Sequence, residues 1–210
     1  MLADPAPLRP ALVPLAIGGD RLELVAVDAT TPVLVVGPPS SGRTNALRFV
    51  ARWARGQGRQ ILGFTPTANA LSDDLGDDAL VGVDHAQEAV VERLRALQNG
   101  SLVLIDDGER LKEGPLAPVM GALVRQARDR GFNVVLGGGV SELSAGFSGW
   151  VVEARAGRKG LLLSPQEPLQ GDVFGGRVSR TSLVARVQPG RGVVFPGNGE
   201  QVGVQVPLVD

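Results

Sequence analysis

Apolar positions along this chain fall in short continuous runs. Val33–Val36, Gln60–Phe64, Ala79–Val83, Leu102–Ile105 and Phe132–Leu136 are bounded by polar, glycine or proline residues. Runs of that length predict strands buried on both faces. Between them, apolar residues recur at helical spacing. One such segment covers about Arg43–Arg55 and stops at Gly56 and Gly58. A second runs from a cap at Asp84 through Leu97, with Ala89, Val90, Leu94 and Leu97 on one face and His85 as a solvated residue near its start. A third covers about Leu116–Arg130, with Val119, Leu123, Val124 and Ala127 together. Pro66–Asp78 is polar and acidic and predicts a loop. Leu15–Val27 predicts a hairpin around Gly18-Gly19-Asp20, and Trp150–Val152 one more strand. Strands alternating with helices predict a mostly parallel sheet covered on both faces. Past Gly160 the helical period disappears. Leu161–Leu163, Val193–Phe195 and Val202–Val206 lie among Gly and Pro and predict a β-rich tail over about 160–210, packed against the main sheet. The proline-broken residues 1–14 read as a linker and 15–210 as the domain.

Composition narrows the chemistry. At 210 residues with 43% hydrophobic content, one domain with an appendage is expected. The net charge of −1, mixed in sign, gives little support to DNA binding by this chain alone. The absence of cysteine excludes disulfide and thiolate chemistry, the single histidine, His85, excludes a multi-histidine metal cluster, and no Ser-His-Asp triad is readable. No basic-then-apolar leader is readable at Met1–Pro14, and no run approaches the roughly 20 apolar residues that cross a bilayer. The expectation is a soluble, cytoplasmic chain without direct membrane insertion, compatible with a membrane-anchored parent protein.

The chemistry-bearing stretch is Thr31–Thr44, TPVLVVGPPSSGRT. A strand breaks into Gly37-Pro38-Pro39-Ser40-Ser41-Gly42 and then Arg43-Thr44-Asn45, the layout of a phosphate-binding P-loop with arginine in place of its lysine. Glycines at 37 and 42 let the turn point successive N–H groups inward as an anion nest. The helix that starts near Arg43 adds partial positive charge. Thr44 is placed to offer its hydroxyl to Mg²⁺. Arginine keeps the charge but is longer, planar and forked, which suits holding polyphosphate better than following a transferring phosphoryl group. Only two lysines, Lys112 and Lys159, stand against nineteen arginines, so compositional bias also explains the exchange.

Ser101-Leu102-Val103-Leu104-Ile105-Asp106-Asp107 supplies the second half of the site. Two carboxylates stand at the carboxyl end of a buried strand, where open α/β sheets bind ligands. Asp106 is the candidate to hold Mg²⁺, and Asp107 takes the place of a water-polarising glutamate, one methylene shorter. Taken alone, Asp106-Asp107-Gly108 also reads as a polar turn. Arg125, Arg128 and Arg130 read as a solvated helix face or as an arginine finger for a neighbour.

GPPSSGRT, SLVLIDD and VRQARDRGFNVVLGG resemble the FtsK/SpoIIIE motor family, and GWVVEARAGRKGLLLSPQ with GDVFGGR and VQPGRGVVF is similar to the last ATPase module of EccC-type type VII secretion proteins. The resemblance spans about Leu12–Pro207. It implies a RecA-like P-loop NTPase αβα sandwich, ATP and Mg²⁺ as ligands, and neighbouring ATPase modules on the same or another chain as partners. Terminal modules of that kind are often degenerate and implicated in recognising the C-terminal signal of secreted substrates, which Arg43 and Asp107 fit. Gly137-Gly138-Gly139 departs from the family, because no side chain is left at the strand end to sense a γ-phosphate. Family position alone points to Arg158-Lys159 and Ser164-Pro165-Gln166 as contacts of the base. The expected function is an ATP-binding, weakly or non-hydrolysing module. The alternatives are an active ATP-dependent DNA translocase domain and a vestigial P-loop interaction module.

Overall fold

The computed structural model describes residues 11–210. Ten strands form one sheet in the order β2-β1-β10-β9-β8-β3-β7-β6-β4-β5. Six of these are parallel: β8 (Gly160–Leu163), β3 (Val33–Val36), β7 (Asn133–Gly138), β6 (Leu102–Ile105), β4 (Ile61–Thr65) and β5 (Ala79–Val81). The other four, β9 (Arg191–Phe195), β10 (Val202–Gln205), β1 (Leu12–Gly18) and β2 (Glu23–Asp28), continue the sheet antiparallel. The predicted tail is therefore not a layer packed on the sheet but its extension. The predicted hairpin joins the same edge, and β1 begins at Leu12, inside the span read as linker. Residues 1–10 of that linker lie outside the described residues.

Each central strand is buried on both faces, which is why its sequence is continuously apolar. Val33, Val35, Leu102 and Leu104 face α1 (Arg43–Gly56) and α2 (Ala70–Leu75), where Leu47, Val50, Leu71 and Leu75 complete one core. Leu34, Val36, Val103 and Ile105 face the opposite way. There they meet α3 (Gln87–Ala96), α4 (Ala117–Gln126) and α6 (Trp150–Arg155) through Val90, Leu94, Met120, Leu123 and Trp150. The result is the expected αβα sandwich with a mostly parallel central sheet.

Three further expectations are corrected and one helix is added. Pro66–Asp78 contains α2, because Asn69 caps it by accepting from the N–H groups of Leu71 and Ser72 while Leu71 and Leu75 bury one face. Trp150–Val152 is the start of α6, since Trp150, Val151 and Ala154 are buried at helical spacing. A short helix, α5 (Val140–Ser144), follows the triple glycine. His85 lies before α3 with its Nε2 buried and unpartnered, and the residue preceding α3 is Ala86, which offers no side-chain cap; Ala89 is exposed.

Candidate nucleotide site

The carboxyl ends of β3, β6 and β7 converge on one place. The turn after β3 brings Gly37–Thr44 there. Gly37 is tight because a Cβ would fall 2.5 Å from Ser41 Oγ and 2.9 Å from Leu163 Cβ. Gly42 takes a left-handed φ of 96° at the start of α1, and Ser40 takes one of 63°. The first-turn N–H groups of α1, those of Arg43 and Thr44 among them, have no acceptor within the helix. Ser41 Oγ is buried and unpartnered beside them. An anionic group fits this cradle of open donors.

Thr44 and Asp106 are already joined: Thr44 Oγ1 donates to Asp106 Oδ2 at 2.7 Å. Asn69 Nδ2 donates to the same oxygen at 3.0 Å, and the Asp107 N–H donates to Asp106 Oδ1 at 3.1 Å. Asp106 is fully buried. Burial pushes its carboxyl above the ordinary range, the Thr44 hydroxyl opposing. A hydroxyl and a carboxylate that forms no ion pair, both oxygen donors, suit a hard cation such as Mg²⁺.

Arg43 points into a pair of acids. Its Nη2 lies 3.1 Å from Asp107 Oδ1 and its Nη1 lies 3.6 Å from Glu109 Oε1, with all three side chains at most 30% exposed. Asp107 reaches this position from a left-handed backbone, φ 45°, a conformation aspartate tolerates better than bulkier residues. Glu109 was not singled out from the sequence. It lies in the 3₁₀ turn Gly108–Leu111, its Oε1 accepts from the Gly139 N–H at 3.2 Å, and its Oε2 is buried without a partner. Burial pushes its carboxyl upward.

Glu109 also accounts for the triple glycine. A Cβ on Gly138 would stand 2.4 Å from Glu109 Oε2, and one on Gly137 would stand 3.1 Å from Asp106 Oδ1. The end of β7 is glycine because a carboxylate from the β6 turn fills the space. So that strand end lacks a side chain of its own but not a polar group. The signal in the sequence was a glutamate two residues past the paired aspartates, opposite three glycines.

Other expected residues lie elsewhere. Pro38 and Pro39 form the outer bend of the loop, where the Ser41 N–H donates to the Pro38 carbonyl at 3.2 Å. Asn45 is bonded twice to the C-terminal segment: its Nδ2 donates to the Pro207 carbonyl and its Oδ1 accepts from the Val209 N–H, both at 2.9 Å. Arg158 and Lys159 precede β8, at the opposite end of the sheet from the P-loop, so they do not reach the site; Lys159 pairs with Asp28 at 3.2 Å. Ser164 does follow β8 beside Gly37, but its hydroxyl is tied to the Gln188 backbone at 2.8 and 3.0 Å. Arg125 pairs with Glu153 of its own chain at 3.1 Å, and Arg130 stacks 4.7 Å from the Phe132 ring centroid. Among the described residues, no helix is long and apolar enough to cross a membrane.

Comparison with known proteins agrees with this fold. No curated protein matches the sequence. Solved structures with the same architecture include the cytoplasmic domain of EssC, with a TM-score of 0.75 at 18% identity over 95% of this chain. The cytoplasmic domain of the Thermomonospora curvata type VII secretion ATPase EccC aligns over 95% of this chain, with a TM-score of 0.71 at 19% identity. ATPases 2 and 3 of the same EccC, in complex with a signal sequence peptide, align with a TM-score of 0.67 at 19% identity over 95% of this chain. The chain spans 44%, 26% and 41% of those three structures respectively. The AAA domain family matches residues 21–156, more than half of the chain and the whole of the P-loop, the acid pair and the triple glycine. The chain therefore belongs to the AAA domain family of P-loop ATPases.

Proposed function

We propose that this chain is an ATP-binding module of a type VII secretion-like ATPase that hydrolyses its nucleotide weakly or not at all, and that it acts in regulation or substrate recognition. The observation that carries this is the pairing of Arg43 with Asp107 and Glu109. The residue in the lysine position and the residue in the glutamate position are bound to each other. An aspartate engaged with arginine is poorly placed to orient an attacking water, and small misplacements in such sites cost large factors in rate.

Within this reading, Gly37 to Thr44 would cradle the phosphates, with Arg43 beside them, and Thr44 and Asp106 would hold Mg²⁺. The bound cation would supply charge neutralisation at the phosphates. Asp107 is a weakened catalytic carboxylate. Glu109, with one free oxygen, is assigned whatever turnover remains. The structural neighbours are consistent with work beside other ATPase modules, and one of them was solved with a signal sequence peptide.

Calorimetric titration of the pure chain with Mg-ATP, beside Arg43→Lys, tests the proposal. Saturable binding by the wild type without phosphate release is the expected result. Binding by neither chain would leave the pocket vestigial, and rapid release by the wild type would make it a working motor.

A further inference from the structure

Far from the P-loop, at the amino ends of the parallel strands, lies an arginine with no acid. Arg59 occupies the turn between α1 and β4. Its Nε donates to the Gly100 carbonyl at 2.6 Å, its Nη2 donates to the Ser101 carbonyl at 3.4 Å and to Asn133 Oδ1, and its guanidinium stands 5.4 Å from the Trp53 ring centroid. Nη1 is buried and has no partner. Among the described residues, no carboxylate comes within 4.0 Å of this side chain. Burial lowers its proton affinity and no charged neighbour offsets that. Carbonyls and a ring face supply partial charge but leave a full positive charge uncompensated in a partly desolvated place, which is costly.

Arg59 forms the wall between two cavities. The larger, about 320 Å³, is lined with amides from Gln57, Gln60, Gln98 and Asn99 beside Trp53. The smaller, about 200 Å³, adds Arg55 and Arg93 with a single acid, Asp78. Neither of these arginines is ion-paired: Arg55 donates to the carbonyls of Asp74 and Leu75, and Arg93 to that of Asp77. Among the residues that line the two cavities, three guanidiniums thus stand with one carboxylate. The larger cavity reaches the size of a small-molecule site.

We propose that this cavity is a second ligand site, separate from the P-loop, for a small oxyanion-bearing molecule whose phosphate or carboxylate bonds the lining amides and offsets the Arg59 charge. The side-chain amides of Gln57, Gln98 and Asn99 are the donors that line it, and the Arg59 guanidinium in its wall supplies the positive charge.

Trp53 provides the readout. The chain has two tryptophans, and the other, Trp150, lies near the P-loop end, its ring 3.3 Å from where a Cβ on Gly108 would stand. In Trp150→Phe the remaining fluorescence reports the Arg59 pole alone. Inorganic phosphate and succinate are titrated separately at constant ionic strength. A saturable change with either, weakened roughly tenfold or more by Arg59→Gln, is expected, and the responding anion identifies the source. A response to neither, or one equal in Arg59→Gln, overturns the proposal. Gln98→Glu covers the case in which Arg59→Gln fails to fold. By placing a carboxylate in the cavity it should raise the melting temperature and abolish the anion response; undiminished anion binding in Gln98→Glu would overturn the proposal.

Discussion

Arg43 concentrates the chemistry of the site in one side chain. Its charge is balanced twice, by Asp107 at 3.1 Å and Glu109 at 3.6 Å, while Asp106 is satisfied by Thr44 and Asn69. Removing Glu109's charge while keeping its shape separates binding from turnover. Glu109→Gln is expected to bind Mg-ATP at least as tightly as the wild type, because Arg43 loses a competitor for the phosphates. Residual phosphate release should fall to the buffer rate. Thr44→Ala acts differently: it removes the proposed oxygen ligand of Mg²⁺ and leaves Asp106 with one partner fewer. The expected outcome is loss of the Mg²⁺-dependent part of nucleotide-induced thermal stabilisation, read by melting curves with Mg²⁺ and with EDTA.

At the scale of elements, the sequence was most legible where local pattern and burial agree. Val33–Val36 and Leu102–Ile105 match their strands residue for residue, since both faces of each strand are covered and nothing polar interrupts the run. The P-loop and the acid pair were legible because glycines and carboxylates have fixed places relative to a strand end. What escaped depends on contacts distant in sequence. Asn69 looked like one polar residue among many, yet it both caps α2 and donates to Asp106. Glu109 became visible only once β6 and β7 were adjacent in register. Gly138→Ala probes that adjacency. With its Cβ 2.4 Å from Glu109 Oε2 and 2.7 Å from a Leu143 methyl, it should cost about 1–3 kcal/mol in denaturant unfolding. Asn69→Ala should cost about 1 kcal/mol through the lost cap, and it should also weaken Mg²⁺ binding, which a cap alone would not do.

On the scale of the whole molecule, the P-loop helix is fastened to the end of the described chain. Asn45 and Arg48 bond Pro207 and Val209, and Arg52 donates to the Asp210 carbonyl at 2.8 Å. Arg48 also pairs with Asp74 at 2.6 Å, which holds the Asp74 carboxyl below its ordinary value. A depressed carboxyl stabilises the fold above its unfolded pKa, and that contribution is lost as pH falls through the folded value. Asp74→Asn should therefore be less stable than the wild type by about 0.5–1 kcal/mol at neutral pH, as partly exposed pairs are. The gap should close as acid protonates Asp74 in the wild type.

The central claim is a pocket that holds nucleotide without spending it, and phosphate release at saturating Mg-ATP measures that most directly. Melting curves on the same samples confirm occupancy. The account predicts that ATP raises the melting temperature of the wild type while release stays near the buffer rate, and that Arg43→Lys combined with Asp107→Glu gains turnover. Wild-type release on the order of 1 s⁻¹ or faster, the range of working phosphoryl-transfer enzymes, would contradict it.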